Sequence, residues 1–343
     1  MSPGPRPGAA TLRGVDVDLV FLGTGGSVPT ARRSTACLLV RAGGDRLLLD
    51  CGEGSQRQMQ RSTGLVQVDD IYVTHLHADH YLGIPGLLKT YDLGGRERGL
   101  RVIGPPGLID LFKALRRIFG RLAYEVELIE LGAGEAVSYD GYEMRSFAVE
   151  HLMTAYGYAL VEDERPGRFD PEAAQRLGVA PGPDFKRLQD GNAVEGSSGP
   201  VKPGDVMGSP RRGRKLVVAG DTAPCEMTAL AAHDAQLLVH DASFADEEAE
   251  RAGETGHSTA SQAAQLAADA GVDMLALVHI YSRYDVGAVL AEAVETFDRA
   301  IAPRDFDLVE IPFPERGRPR LIEGGAKQRR ADPSAPAEPQ TAS

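Results

Sequence analysis

An α/β fold is predicted by two recurring observations: short apolar runs that end in a glycine-rich or polar turn, and segments with helical apolar spacing that follow them. The first run, Leu19 to Leu22, leads into Gly23 to Gly26, and "DRLLLDCGEGSQRQMQRS" repeats the change from strand to turn to helix. "DDIYVTH" is a third strand, and "LGIPGLLKTYDL" has helical spacing after it. Further strands are expected at Arg101 to Ile103, Met144 to Val149, Lys215 to Ala219, Gln236 to His240 and Met274 to His279. Several of them deliver a polar residue at the C-terminal end, where an α/β sheet opens its binding sites. Helices fit "PGLIDLFKALRRIFG", "CEMTALAAH", "STASQAAQLAADAG" and "AVLAEAVETFDRA" through apolar residues at i, i+3 and i+4.

Composition narrows the class. With 343 residues, 42% hydrophobic and 25% charged, the chain reads as an ordinary soluble globular protein of one large domain or two small ones. Residues 1–15, rich in Pro and Gly, read as a disordered extension, and residues 16–323 as the folded body. The N-terminus lacks the apolar stretch of a signal peptide and no later run reaches membrane-spanning length, so a cytoplasmic location is expected. Cys37, Cys51 and Cys225 are odd in number and widely spaced, which suits buried packing rather than disulfides or a thiolate metal site.

Residues 163–209 break the pattern. They are crowded with Pro, Gly and charge and show little apolar periodicity, which predicts an inserted, protruding arm. Residues 324–343 have the composition of a disordered tail. The net charge of −12 argues against a polyanionic partner unless cations are gathered in one place. They are gathered between residues 186 and 215, where Lys186, Arg187, Lys202, Arg211, Arg212, Arg214 and Lys215 face only Asp190, Glu195 and Asp205, with Phe185 beside the first pair.

The most informative stretch is "VTHLHADH". His75 and His77 lie two apart and can face one side of an extended chain, whereas the adjacent Asp79 and His80 must diverge. Two divergent donor sets point to two neighbouring metals. Imidazole with carboxylate suits Zn²⁺, although Mn²⁺ or Fe would accept the same donors. Further donors stand at strand ends: His151 after "RSFAVE", Asp221 in "VVAGDT" and His279 in "MLALVH". "GTGG" lacks the remainder of a phosphate-loop or dinucleotide fingerprint, so a nucleotide cofactor is not expected.

His-x-His-x-Asp-His after a strand, with later single His, Asp and His residues, resembles the metallo-β-lactamase superfamily. Within it the chain is similar to the ribonuclease Z family of tRNA 3′-processing endonucleases, through "FLGTGGSVPT", "LDCGEGSQRQM", "THLHADHYLGIPGLL", "PGPDFKRLQDG", "AGDT", "VHDASF", "GHSTASQAA" and "LVHIYSRY". The resemblance implies a four-layer αβ/βα sandwich with a dinuclear site on one edge, and a homodimer acting on precursor tRNA. It also implies one metal on His75, His77 and His151, a second on Asp79, His80 and His279, and Asp221 bridging. Asp79 would accept the proton of the attacking water. His257 is the candidate acid for the departing O3′, while Ser258 or Thr259 offers the competing reading of a helix cap. Asp241 is positioned in sequence to orient His257. Phe185, Lys186, Arg187 and Arg283 are candidate RNA contacts. Two rivals remain. A small-molecule hydrolase would need the metals without the arm, and a non-catalytic RNA-binding protein the arm without the metals.

Overall fold

The computed structural model describes residues 17–331. The expected disorder of residues 1–15 and of the last twelve residues lies outside that range. Along the chain run β1 (Val17–Gly23), β2 (Cys37–Ala42), β3 (Asp45–Leu49), α1 (Ser55–Arg61), β4 (Asp70–Tyr72), α2 (Ala78–Tyr81), α3 (Ile84–Leu93), β5 (Leu100–Gly104), α4 (Leu108–Phe119) and β6 (Val126–Glu130). There follow β7 (Ala136–Ser138), β8 (Tyr142–Ala148), β9 (Tyr156–Glu162), α5 (Pro171–Arg176), α6 (Pro183–Gln189), β10 (Val194–Gly196), β11 (Gly199–Val201) and α7 (Pro203–Val206). The rest is β12 (Lys215–Val218), α8 (Glu226–Ala232), β13 (Leu237–Asp241), α9 (Ala249–Glu254), α10 (Ala260–Ala270), β14 (Met274–Val278), α11 (Val286–Thr296), β15 (Ala300–Ile301), β16 (Leu308–Ile311), β17 (Arg320–Ile322) and α12 (Gly325–Ala331).

Two sheets organise the larger unit. One has the order β17-β16-β1-β2-β3-β4-β5-β6, the other β15-β14-β13-β12-β9-β8-β7. Alternation along each strand explains the layering, because successive side chains leave opposite faces. In β1, Leu19 and Phe21 enter the core between the sheets together with Leu160 of β9 and Leu216 of β12. Val20 and Leu22 face the other way, onto Met59, Leu87 and Phe112 of α1, α3 and α4. On the second sheet Val217, Leu238 and Leu275 turn outward to the alanine-rich face of α10 and to α11. The result is helix, sheet, sheet, helix: the four-layer αβ/βα sandwich.

Residues 162–213 form a second compact unit with a small core of Ala174, Val179, Leu188, Val194, Val201 and Val206. It contains three short helices and a hairpin. The expected cations are fewer on this unit: Lys215 is in β12, and Arg214 is buried with its guanidinium 4.0 Å from the Phe313 ring. The apolar residues of this core are too widely spaced to show a period. A further correction falls on residues 325–331 of the expected tail, which are helical. Ala326 is buried beneath the first sheet's outer face, and the Gly324 N–H donates to Asp307 at 2.8 Å, so tertiary packing overrides a polar composition.

Candidate metal centre

Parallel pairing of β3 with β4 and of β12, β13 and β14 places their C-terminal ends side by side in each sheet. Each of these ends delivers a polar side chain: Asp50 after β3, His75 after β4, Asp221 after β12, Asp241 at the end of β13 and His279 after β14. His151 follows β8. The bend after β4 turns into α2, whose first turn carries Asp79 and His80 about 100° apart around the helix, so they leave in different directions.

The ligand atoms of His75, His77 and His151 form one cluster, and those of Asp79, His80 and His279 another, each within 4.8 Å. In the first, His77 Nδ1 lies 2.9 Å from His75 Nε2 and 3.1 Å from His151 Nε2. In the second, His279 Nε2 is 3.3 Å from Asp79 Oδ2 and His80 Nε2 is 3.6 Å from it. Asp221 Oδ2 stands between the clusters, 3.9 Å from His75 Nε2, 3.4 Å from His80 Nε2 and 3.3 Å from His279 Nε2.

These residues fit a metal group, as the outward side of the imidazoles shows. His80 Nδ1 donates to Asp50 Oδ2 at 2.8 Å, His151 Nδ1 to the Gly256 carbonyl at 2.8 Å, and His279 Nδ1 to Ser243 Oγ at 2.8 Å. With the protons fixed there, the Nε2 lone pairs of His80, His151 and His279 aim inward, whereas His77 turns its Nδ1 to the cluster. His80 Nε2 is buried and has no hydrogen-bond partner among the described residues. Lone pairs converging at such distances repel unless a cation lies among them. Charge agrees: burial works against the Asp221 carboxylate, but His279, His80 and His75 outweigh it and hold its pKa well below the ordinary range. Burial of His75 pushes its pKa well down, which leaves it a neutral donor.

Backbone geometry serves the same place. His279 has φ +60° and Asp50 φ +57°, left-handed values that non-glycine residues rarely adopt and that gather at functional sites. Gly26 comes so close that a Cβ there would lie 2.4 Å from the His279 carbonyl oxygen.

His257 stands beside the clusters, 7% exposed, its ring stacked on His279 with centroids 5.3 Å apart. Its Nδ1 donates to Asp241 Oδ2 at 2.8 Å. Burial lowers its pKa, but the hydrogen bond and charge of Asp241 prevail and raise it above the ordinary imidazole value. The helix-cap reading holds for its neighbour, since Thr259 caps α10 and forms a capping box with Gln262. Asp50, Ser243 and Thr74 were missed from sequence. The Thr74 hydroxyl sits 3.0 Å from His75 Nδ1 and donates to Asp50, so these three residues orient the clustered imidazoles from behind.

The candidate RNA contacts are divided. Lys186 and Arg187 are exposed on α6, Arg187 pairing with Asp184 at 3.3 Å. Phe185 is half-buried with its ring 4.9 Å from Phe169, which commits it to packing. Arg283 is held by Glu248 at 2.6 Å and lies over the Phe244 and Tyr284 rings, a local structural bond that sequence could not reveal.

Fold and site together define a member of the metallo-β-lactamase superfamily. A family model described as Anti-Pycsar protein Apyc1 matches residues 17–165, and a Beta-lactamase superfamily domain model matches residues 192–280. Among solved structures, the chain resembles YhfI from Bacillus subtilis, a metallo-beta-lactamase fold protein, at TM-score 0.64 and 16% identity over 86% of this chain and 99% of that one. The short form of human tRNase Z gives TM-score 0.62 and 24% identity over the same shares. Curated relatives are nearer in sequence. The Ribonuclease Z of Methanosarcina acetivorans is 48% identical over 86% of this chain and 98% of its own length, and that of Myxococcus xanthus 46% identical over the same shares. The chain belongs to the ribonuclease Z family. Among the described residues, no helix is long and apolar enough to cross a membrane.

Proposed function

We propose that this chain is a zinc-dependent endoribonuclease that removes the 3′ trailer from precursor tRNA in the cytoplasm, leaving a 3′-hydroxyl on the tRNA and a 5′-phosphate on the trailer. The observation that best supports this is the arrangement of two His/Asp clusters about Asp221, with a ring nitrogen of His257 within 4.8 Å of ligand atoms of His151 and Asp221. It occurs in a chain whose curated relatives are named Ribonuclease Z. Two Zn²⁺ would be held, one by His75, His77 and His151 and one by Asp79, His80 and His279, with Asp221 shared. When bound, such a pair of cations activates water and neutralises charge developing on a phosphodiester.

The remaining work falls to the chain's own groups. Burial disfavours the Asp79 carboxylate, yet its hydrogen bond to His279 and the adjacent His80 keep its pKa below the ordinary value, so it is ionised; on the family resemblance it would accept the proton of the attacking water. Scission of the P–O3′ bond leaves the electron pair on O3′, a poor leaving group without an acid. His257, charged through Asp241, supplies that proton from Nε2. Residues 162–213 would hold the tRNA body through Lys186, Arg187, Lys202, Arg211 and Arg212, and residues 16–323 excluding that unit would be the catalytic body. A homodimer is proposed on the family resemblance.

His257→Ala tests the assignment. Cleavage of precursor tRNA should fall by roughly 10²–10⁴-fold, the range for a lost general acid, with metal content near the parent's. Hydrolysis of bis(p-nitrophenyl) phosphate, whose leaving group needs no proton, should be largely spared. Equal loss on both substrates would assign His257 to structure instead.

A further inference from the structure

Beside His257 stands a phenol that the reaction above leaves unused. Because His257 Nδ1 is committed to Asp241 at 2.8 Å, Nε2 is the ring atom left to serve the departing oxygen. The Tyr281 hydroxyl lies 3.4 Å from that Nε2, and the Ser27 side chain is its other hydrogen-bond neighbour. Asp241 holds His257 at Nδ1, whereas Tyr281 meets it at Nε2, the ring nitrogen left for proton transfer.

The ring is held in place independently of His257. It meets the Phe244 ring edge-on at 5.0 Å, and the Arg283 guanidinium lies 5.5 Å from its centroid. Gly26 makes the room, since a Cβ there would come 2.8 Å from Tyr281 Cδ1. Tyr281 also borders a cavity of about 1080 Å³ whose charged lining is Arg32, Arg33, Arg304, Asp285 and Asp305. One side of the residue therefore faces a polar cavity, while its hydroxyl faces the imidazole.

We infer that Tyr281 is a positioning residue for the leaving-group step: its hydroxyl oxygen accepts the Nε2–H of His257 and keeps the imidazole aimed along the path that O3′ will occupy. As O3′ departs with the electron pair of the P–O bond, it comes up beside the phenol oxygen as a second acceptor of the same N–H and takes the Nε2 proton. Tyr281 itself neither gains nor loses a proton. The inference rests on the reading of His257 as the acid.

Tyr281→Phe keeps the ring and its contacts with Phe244 and Arg283 while removing the hydroxyl. On precursor tRNA, kcat should fall roughly tenfold, the rate equivalent of one hydrogen bond, with KM and metal content unchanged. Turnover of bis(p-nitrophenyl) phosphate should stay at the parent rate. In a His257→Ala background the same substitution should have no further effect, because residues acting as one unit are not additive. A parental kcat for Tyr281→Phe, an equal loss on both substrates, or a full tenfold loss in the His257→Ala background would each overturn the inference. If instead His257→Ala alone leaves precursor cleavage untouched, it is the acid assignment that fails, and that result is read separately from the Tyr281 single variant.

Discussion

At the scale of single residues, Asp241 carries two tasks with two oxygens. Oδ2 accepts from His257 Nδ1, and Oδ1 accepts from the Ser243 hydroxyl at 2.6 Å, which in turn accepts from His279. A carboxylate so placed favours the imidazolium of His257, and its removal should therefore lower that pKa. The acid form is present below the pKa and lost above it, so Asp241→Asn should move the alkaline limb of the precursor-cleavage profile to lower pH. A kcat profile from pH 6 to 9 checks this. An alkaline limb that stays in place would show that His257 does not set it. The clustered donors were legible because His-x-His-x-Asp-His is a dense pattern of imidazole and carboxylate after an apolar strand. Asp50 and Ser243 were not, because a group that orients a ligand from behind can be almost any polar residue at a strand end, and the φ of +60° at His279 leaves no trace in composition.

Among elements, strand ends and tight glycines decide the site's geometry. Gly26, in the turn after β1, presses against the His279 carbonyl and the Tyr281 ring, and any side chain there must push one of them away. Gly26→Ala should cost about 10²-fold in precursor cleavage, the penalty for roughly 1 Å of misplacement, and weaken zinc binding at the group containing His279. Gly44→Ala is the control, since a Cβ there meets nothing within 4 Å and should change neither rate nor metal content. Elements were read most securely where a strand joins a long amphipathic helix. β2, β6, β7, β9 and β15 to β17 went unread, several of them too short or too mixed in burial to alternate clearly. β6 shows the difficulty: Val126, Leu128 and Ile129 are only half-buried at the sheet's edge, so its apolar signal is diluted by Glu127 and Glu130.

For the whole molecule, the question is how a chain of net charge −12 handles a polyanion. Its cations must act locally, and residues 162–213 hold a set on a compact unit with a core of its own. Replacing that unit by a short Gly-Ser linker should weaken binding of precursor tRNA strongly, flatten the salt dependence of that binding, and spare hydrolysis of a small phosphodiester. Filter binding across a salt series, beside a bis(p-nitrophenyl) phosphate assay, measures both. Unchanged affinity in a folded, metal-replete variant would remove the unit from the account. The sequence located this insertion through its break in periodicity but did not reveal its core, because six buried residues scattered over some thirty positions carry no period.

The most direct test of a metal-dependent tRNA 3′-endonuclease is to strip the full-length protein with chelator, restore zinc in measured amounts, and map the ends produced from a precursor tRNA carrying a 3′ trailer. No cleavage is expected without metal, with activity rising to a plateau at two zinc ions per chain and one cut that leaves a 3′-hydroxyl on the tRNA and a 5′-phosphate on the trailer. Cleavage that persists without metal, or a zinc-loaded protein that hydrolyses small phosphodiesters yet leaves the precursor intact, would contradict that expectation.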